Sequence, residues 1–276
     1  MDGKLDPGLY IVATPIGNLS DLSPRAAATL AGADLIAVED SRVTAKLLHH
    51  IGARRPMIPY HDHNADRVRP GLIDEMRVKA VALVSDAGTP LISDPGYKLV
   101  RDARAAGIPV TTIPGPSALI SALTLAGLPT DRFAFFGFLP GKAGARSRAI
   151  AGAGAFDGTL IFYESGPRLG ATLAALREGL GDRDAAVVRE ISKRFEETIG
   201  GRLGELADRY AGTPPKGEIV IVVAPAAEAA AAGESDIDTA LREALANASP
   251  SRAAADVASK LGLPRRLVYE RAQKLK

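Results

Sequence analysis

VALVSDAGTPLISDPG, residues 81–96, decides how the chain is read. Its first four residues are apolar without alternation, so the strand expected over 81–85 is covered on both faces, as in a parallel sheet between helices. The strand then breaks into a loop rich in glycine and proline: Asp86, Gly88, Thr89 and Pro90, then Asp94, Pro95 and Gly96. Glycine lets backbone approach a ligand closely, and proline fixes the loop's shape. Open α/β sheets bind ligands at the carboxyl ends of their strands, which is where this loop stands.

Outward from that stretch the same alternation recurs. Strand runs at 9–14, 34–38, 57–60 and 110–113 join the one at 81–85. Ser23-Pro24 opens a helix, with serine as N-cap and proline at the first helical position. A second helix covers 44–51. Asn64 is expected to cap a helix reaching Val78, and Asp94-Pro95 one running to Ala106, where Gly107 stops it. A further helix covers 117–126. This makes an N-terminal α/β domain of residues 1–127 with a mainly parallel sheet. GLPT (127–130) reads as a linker into a second α/β domain, 128–225, with strands at 134–137, 159–163, 185–189 and 218–223 and helices at 168–180 and 203–210. AAEAAAAGES (226–235) is a helical or flexible tether. The tail, 236–276, reads all-helical, with helices at 237–246, 251–261 and 265–274 punctuated by Ser249, Gly262 and Pro264. It suits a helix-turn-helix-like module or a packing arm.

Composition narrows the classes. The 276 residues are 46% apolar and 24% charged, an ordinary globular balance. With no cysteine, the chain has no disulfide, zinc–thiolate site, iron–sulfur cluster or thiol nucleophile. No apolar run approaches the ~18 residues of a membrane span, and the acidic, proline-broken start does not read as a signal peptide, so a cytoplasmic protein is expected. The formal charge of +2 is uneven: residues 236–276 hold eight basic and five acidic groups, net +3, leaving −1 for the rest. A basic tail points to a polyanionic partner or to a solvated helix surface.

Three irregular loops stand on one sheet edge: TPIGNL (14–19), SDAGTPLISDPG (85–96) and PGPSA (114–118). Singly each is a plain turn; together they outline a rigid, backbone-lined cleft suited to an adenosine-type ligand. There is no G-x-G-x-x-G after the first strand and no G-x-x-x-x-G-K-[ST], which argues against a dinucleotide dehydrogenase and a P-loop enzyme. REISKRFEE (189–197) and EDSR (39–42) place dense mixed charge at strand ends, either as a site or as solvated ion-pair surface.

These motifs, with TPIGNLSD (14–21), YHDHN (60–64), FFGFLP (135–140), FYES (162–165) and KGEIVIVV (216–223), resemble the ribosomal RNA small-subunit methyltransferase I family of tetrapyrrole-methylase-like S-adenosylmethionine enzymes. The resemblance runs from about Leu9 to the C-terminus. It implies a two-domain α/β fold with a mixed second sheet and a small helical tail. It further implies a homodimer, S-adenosylmethionine bound between the domains, and 2′-O-methylation of a cytidine ribose in the decoding region of 16S rRNA, free or in the small subunit. It places Asn18, Asp86, Gly88, Thr89, Ser117, Ala118, Tyr163, Gly217 and Glu218 at the cofactor. The chain departs from the family pattern at Ser41 and Ser192, where threonine is common. It departs also at Gly166-Pro167-Arg168, where a histidine commonly precedes the arginine; no role of that histidine carries over.

On the chemistry, a ribose hydroxyl is a poor nucleophile that needs orientation and a base or cation. Lys193, in a cleft among other cations, is the expected catalytic group with a lowered pKa, with phosphate contact as its alternative; Glu190 and Glu197 are expected to orient it or the ribose. Arg42 and Arg194 are assigned to phosphates. Lys142, Arg146 and Arg148 are expected on a mobile basic loop gripping RNA backbone, and Phe136, Phe138 and Tyr60 are candidate stacking partners for a splayed base. His61 and His63 lack a third ligand, so no metal is expected. Competing readings are a tetrapyrrole C-methyltransferase of the same fold and a non-catalytic RNA-binding or ribosome-assembly factor.

Overall fold

The computed structural model describes residues 4–226, 234–246, 248–261 and 265–275. The chain divides into two compact units, Met1–Pro225 and Ala226–Lys276.

The first unit holds two sheets. In its first half, β1 (Gly8–Val12), α1 (Pro24–Gly32), β2 (Leu35–Val38), α2 (Ser41–His50), β3 (Met57–Pro59), α3 (Ala65–Met76), β4 (Ala80–Val84), α4 (Tyr97–Ala105), β5 (Val110–Ile113) and α5 (Ala118–Leu125) alternate without a break. The five strands are all parallel in the order β3-β2-β4-β1-β5. β4 is buried along its whole length, as its unbroken apolar run requires. One apolar cluster lies on each face of the sheet, around Leu30 and Ile36 on one and Leu72, Leu83 and Leu99 on the other. Connections leave β1 and β4 in opposite directions, so a crevice opens at their carboxyl ends.

The second half comprises β6 (Phe133–Phe138), α6 (Ala143–Gly154), β7 (Thr159–Ser165), α7 (Leu169–Leu180), β8 (Asp184–Arg189), β9 (Glu197–Arg202), α8 (Leu203–Arg209) and β10 (Glu218–Val223). Its sheet is mixed, β6-β7-β10-β8-β9, with only β6 and β7 parallel. α6, α7 and α8 cover one face, around Leu160, Phe162, Leu173 and Ile221. The other face is covered by α5, whose Leu119, Ala122 and Leu123 pack on Ile161, Ala186, Val188, Val220 and Val222. The last helix of the first half thus supplies a core for the second.

The second unit contains α9 (Glu234–Leu245), α10 (Pro250–Leu261) and α11 (Arg265–Lys274). Ile237, Leu241, Val257 and Val268 form its core. Arg271 clasps Asp238 through Nε at 2.5 Å and Nη2 at 3.1 Å. Most of the expected tether, residues 227–233, lies outside the described residues, as do Gly262 and Pro264.

Several expectations need correction. The stretch carrying Lys142, Arg146 and Arg148 is no loop: Lys142 precedes α6 and both arginines lie on it. Its alanines favour helix, and its Ile150 and Ala153 are buried against the second sheet's core. Asn64 stands at the N-cap of α3 as expected, but its side chain makes no cap bond: its Oδ1 accepts the His61 N–H at 2.9 Å and its Nδ2 donates to the Pro59 carbonyl at 2.9 Å. α4 starts at Tyr97, behind Gly96 at φ +135°, so Asp94 is not its cap. Tyr60 is 2% exposed and belongs to the core, not to a stacking platform. β9 was not anticipated; its glycine pair, Gly200-Gly201, hides the strand pattern.

Leu123 is 4% exposed against the second sheet. Leu123→Ala is expected to lower unfolding stability by about 2–4 kcal/mol, read as a lower denaturation midpoint in urea with unchanged slope; an unmoved midpoint refutes α5 as a shared core element.

Candidate active site

The loops after β1, β4 and β5 are tied together by backbone. Thr14 and Gly88 exchange both hydrogen bonds, N–H to carbonyl, at 2.8 and 3.0 Å. Thr89 Oγ1 donates to the Pro116 carbonyl at 3.0 Å. Gly88 sits at φ +79° with Ile16 close behind it, so a side chain there is strained twice.

These loops form one side of a cavity of about 390 Å³, within the size range of small-molecule sites. Gly88, Thr89, Ser117 and Ala118 present backbone and small side chains to it; Ile16, Phe138, Tyr163, Ile191 and Val220 are its apolar wall; Glu39, Asp86, Asp94, Glu164 and Glu218 are its acids. Both halves of the first unit contribute, and the Gly217–Glu218 turn closes it from the second sheet.

The acids are held differently. Asp86 Oδ1 accepts the Asp40 N–H at 2.9 Å, and Glu39 Oε2 accepts that of Asp86 at 3.4 Å. Burial raises both carboxyls above their ordinary range. Glu164 is fully engaged: it accepts from the Ser165 N–H at 2.8 Å and the Thr172 hydroxyl at 2.6 Å, with Arg168 Nε at 3.4 Å. Asp94 is half-buried and pushed up to about 6, first by burial and then by the charges of Glu39, Asp86 and Asp62. Burial likewise pushes the Tyr163 phenol up to about 12.

Lys193 contradicts expectation. Its Nζ lies 3.0 Å from Glu190 Oε1 and 3.2 Å from Glu218 Oε2, among anions rather than cations. Burial alone favours losing the proton, but the two carboxylates outweigh it and its pKa is raised. At neutral pH Lys193 is an ammonium and no base. Its stem lies against Gly17, where a Cβ has no room, and next to it Ser192 Oγ donates to the Asp21 carboxylate. Glu190 (φ +50°) and Ser192 (φ +66°) both take left-handed backbone to make this turn.

The remaining expected residues scatter. Asn18 is outside the cavity wall; its Oδ1 accepts the Ser20 N–H at 3.0 Å and caps a single 3₁₀ turn, Leu19–Asp21. Glu197 begins β9, paired with Arg189 Nε at 2.5 Å, and lines a different, open cleft with Arg209, Tyr210 and Lys216. Arg42 is exposed at the start of α2, with its guanidinium 2.5 Å from Asp40, whose carboxyl it holds down at about 2. Arg194 is exposed over the Phe195 ring, 5.6 Å from its centre. Among the described residues no cluster of three or more metal-ligating side chains occurs, and no helix is long and apolar enough to cross a membrane. Ile16 and Glu39 line the cavity from stretches the sequence singles out, TPIGNL and EDSR, whereas Glu164 carries no signal of its role and Asp94, inside the deciding stretch, has the sequence signature of a helix cap.

Comparison with known proteins places this architecture. Residues 8–207 match the family model of tetrapyrrole (corrin/porphyrin) methylases, and residues 226–276 match that of the RsmI C-terminal HTH domain. A ribosomal RNA small subunit methyltransferase I of Mesorhizobium japonicum is 50% identical over 275 residues, 99% of this chain and 93% of that one. One from Erythrobacter litoralis is 53% identical over 272 residues, 99% and 96% of the two chains. The chain belongs to the ribosomal RNA small subunit methyltransferase I family. Members of this family are methyltransferases, and the fold is shared more widely. Uroporphyrin-III C-methyltransferase from Thermus thermophilus, solved with S-adenosyl homocysteine, aligns over 78% of this chain and 96% of its own, with TM-score 0.54 and 21% identity. A diphthine synthase aligns over 78% and 89%, with TM-score 0.61 and 17% identity.

Gly217 lies at φ +96°, and a Cβ there runs into the Glu190 carboxylate that holds Lys193. Gly217→Ala is expected to cost about 1–3 kcal/mol of stability. Chemical denaturation checks this; an unchanged midpoint removes the turn's strain from the account.

Proposed function

We propose that the chain transfers a methyl group from S-adenosylmethionine to the ribose 2′-hydroxyl of a cytidine in the decoding region of 16S rRNA. The observation that carries this reading is the acid-rimmed, backbone-floored cavity between two sheets, in a chain about half identical to ribosomal RNA methyltransferases over nearly its full length. The proposal includes a cytoplasmic homodimer acting on the RNA or the small ribosomal subunit.

The cavity fits the cofactor by its chemistry. Glycine and small side chains leave backbone open to a nucleoside, the apolar wall takes an adenine ring, and the acids favour a positively charged group. Gly88, Thr89, Ser117, Ala118, Asp86, Tyr163 and the Gly217–Glu218 turn are the residues proposed to hold it. When bound, the cofactor supplies a methyl group on a positively charged sulfur. The protein's part is to exclude water, fix the ribose oxygen in line and manage one proton.

Lys193, pinned by Glu190 and Glu218, acts as a fixed cation that positions the ribose or its phosphate. Arg42 and Arg194, exposed beyond the cavity, and Lys142, Arg146 and Arg148 around α6 are proposed phosphate contacts. Such contacts make affinity fall with salt.

Incubating the protein with small ribosomal subunits and methyl-labelled cofactor, then digesting to nucleosides, is expected to yield 2′-O-methylcytidine. Label on a base, on a tetrapyrrole offered in parallel, or on nothing refutes the reading. Asp86→Ala is expected to weaken cofactor binding at least about tenfold in calorimetric titration; equal affinity takes Asp86 out of the site.

A further inference from the structure

Four of the cavity's five acids are held by backbone N–H groups, by a cation or by several donors at once, while the fifth has a single hydroxyl neighbour. Glu164 is saturated, Glu218 is engaged by Lys193, and Glu39 and Asp86 take backbone N–H groups. Lys193 keeps its proton. Asp94 stands apart: its hydrogen-bonding neighbour is the Ser85 hydroxyl, and the charged groups acting on it from the ends of β2, β3 and β4 are Glu39, Asp62 and Asp86, all acidic. From the second sheet it faces the Tyr163 phenol, with Glu218 and Glu164 on the same cavity.

The backbone that presents Asp94 is strained. Leu91 (φ +75°) and Ser93 (φ +64°) are left-handed without being glycine, between Gly88 and Gly96, which are left-handed as well. Such backbone is costly for a residue with a side chain and persists where the surroundings over-determine it. Those surroundings are visible. Gly96 is wedged against Leu83 and Leu91 so tightly that a Cβ lies 2.9 Å from Leu83 Cδ2, and Ser93 Oγ abuts Gly137 in β6. The loop is therefore fixed from both sheets, and Asp94 is aimed into the cavity by rigid neighbours.

We propose that Asp94 is the proton acceptor of the methyl transfer, the catalytic base for the ribose 2′-hydroxyl. This rests on the reading of the previous subsection. The step balances: the ribose oxygen bonds to the methyl carbon, the carbon–sulfur bond breaks with its electron pair left on sulfur, and the hydroxyl proton passes to an Asp94 carboxylate oxygen, from which solvent removes it. A carboxylate with no cation of its own and a pKa near working pH suits that task. It also couples Asp94 to the charge of its neighbour: a sulfonium brought close favours the ionised carboxylate, and a neutral thioether does not.

Two measurements test this. Calorimetry of S-adenosylmethionine binding near pH 6, in buffers of different ionisation enthalpy, is expected to show release of about half a proton by the wild type. Asp94→Asn is expected to release none, and S-adenosyl homocysteine to release far less with either protein. Single-turnover methylation of small subunits is expected to slow about 100-fold or more in Asp94→Asn, to lose its decline below pH ~6, and to recover in part in Asp94→Glu. An Asp94→Asn protein that methylates as fast as the wild type, with the same acidic decline, overturns the proposal alone. A wild type that leaves ribose unmethylated overturns the functional reading beneath it. Proton release unchanged by Asp94→Asn also overturns the proposal, whatever the activity.

Discussion

The packing of α5 on the second sheet is the constraint on which the rest depends. This helix follows directly from β5 and the PGPSA loop, so its position is set by the first sheet at one end. Its buried side chains are interdigitated with β7, β8 and β10 of the second sheet. Burial of several Leu-, Ile- and Val-sized side chains contributes on the order of 1.5–3 kcal/mol each, enough to hold two sheets at a fixed separation. The cavity is the space left where that seam stops. Ala118, the first residue of the helix, packs on this seam and also lines the cavity beside Ser117.

Electrostatics then divides the labour inside the cavity. Acids outnumber the single nearby ammonium, and most are buried enough for their charge to be expensive. The protein meets that cost locally, with backbone N–H groups for Asp86 and Glu39, a hydroxyl and guanidinium for Glu164, and Lys193 for Glu190 and Glu218. A site built this way attracts positive charge and binds its neutral successor less well, which favours turnover.

Much of this was legible from residues alone. The strands of the first sheet are unbroken apolar runs, and the loops behind them carry glycine and proline at strand ends, so both elements and crevice could be placed. The second sheet's mixed character came through the family resemblance. α6 and β9 are hard to read for a related reason: α6 is mostly glycine and alanine, and β9 is interrupted by Gly200-Gly201, so neither leaves an apolar period. Asp94 was misjudged because Asp-Pro usually begins a helix, whereas Gly96 delays this one and frees the carboxylate. Lys193 was misjudged because adjacency in REISKR suggests a cationic patch. The fold instead brings in Glu218, far along the chain, and turns Glu190 back on it.

The contact between Gly17 and the stem of Lys193 has a consequence for how the crevice is dimensioned. A loop from one sheet and a side chain from the other meet there with no room for a further carbon atom, so position 17 acts as a spacer between the lobes. A side chain at that point displaces the Lys193 stem and draws the ammonium off its two anions. Aperture and charge alignment are thereby geared to one another, and a family of variants graded in bulk at this one position forms a caliper for how wide the crevice must be.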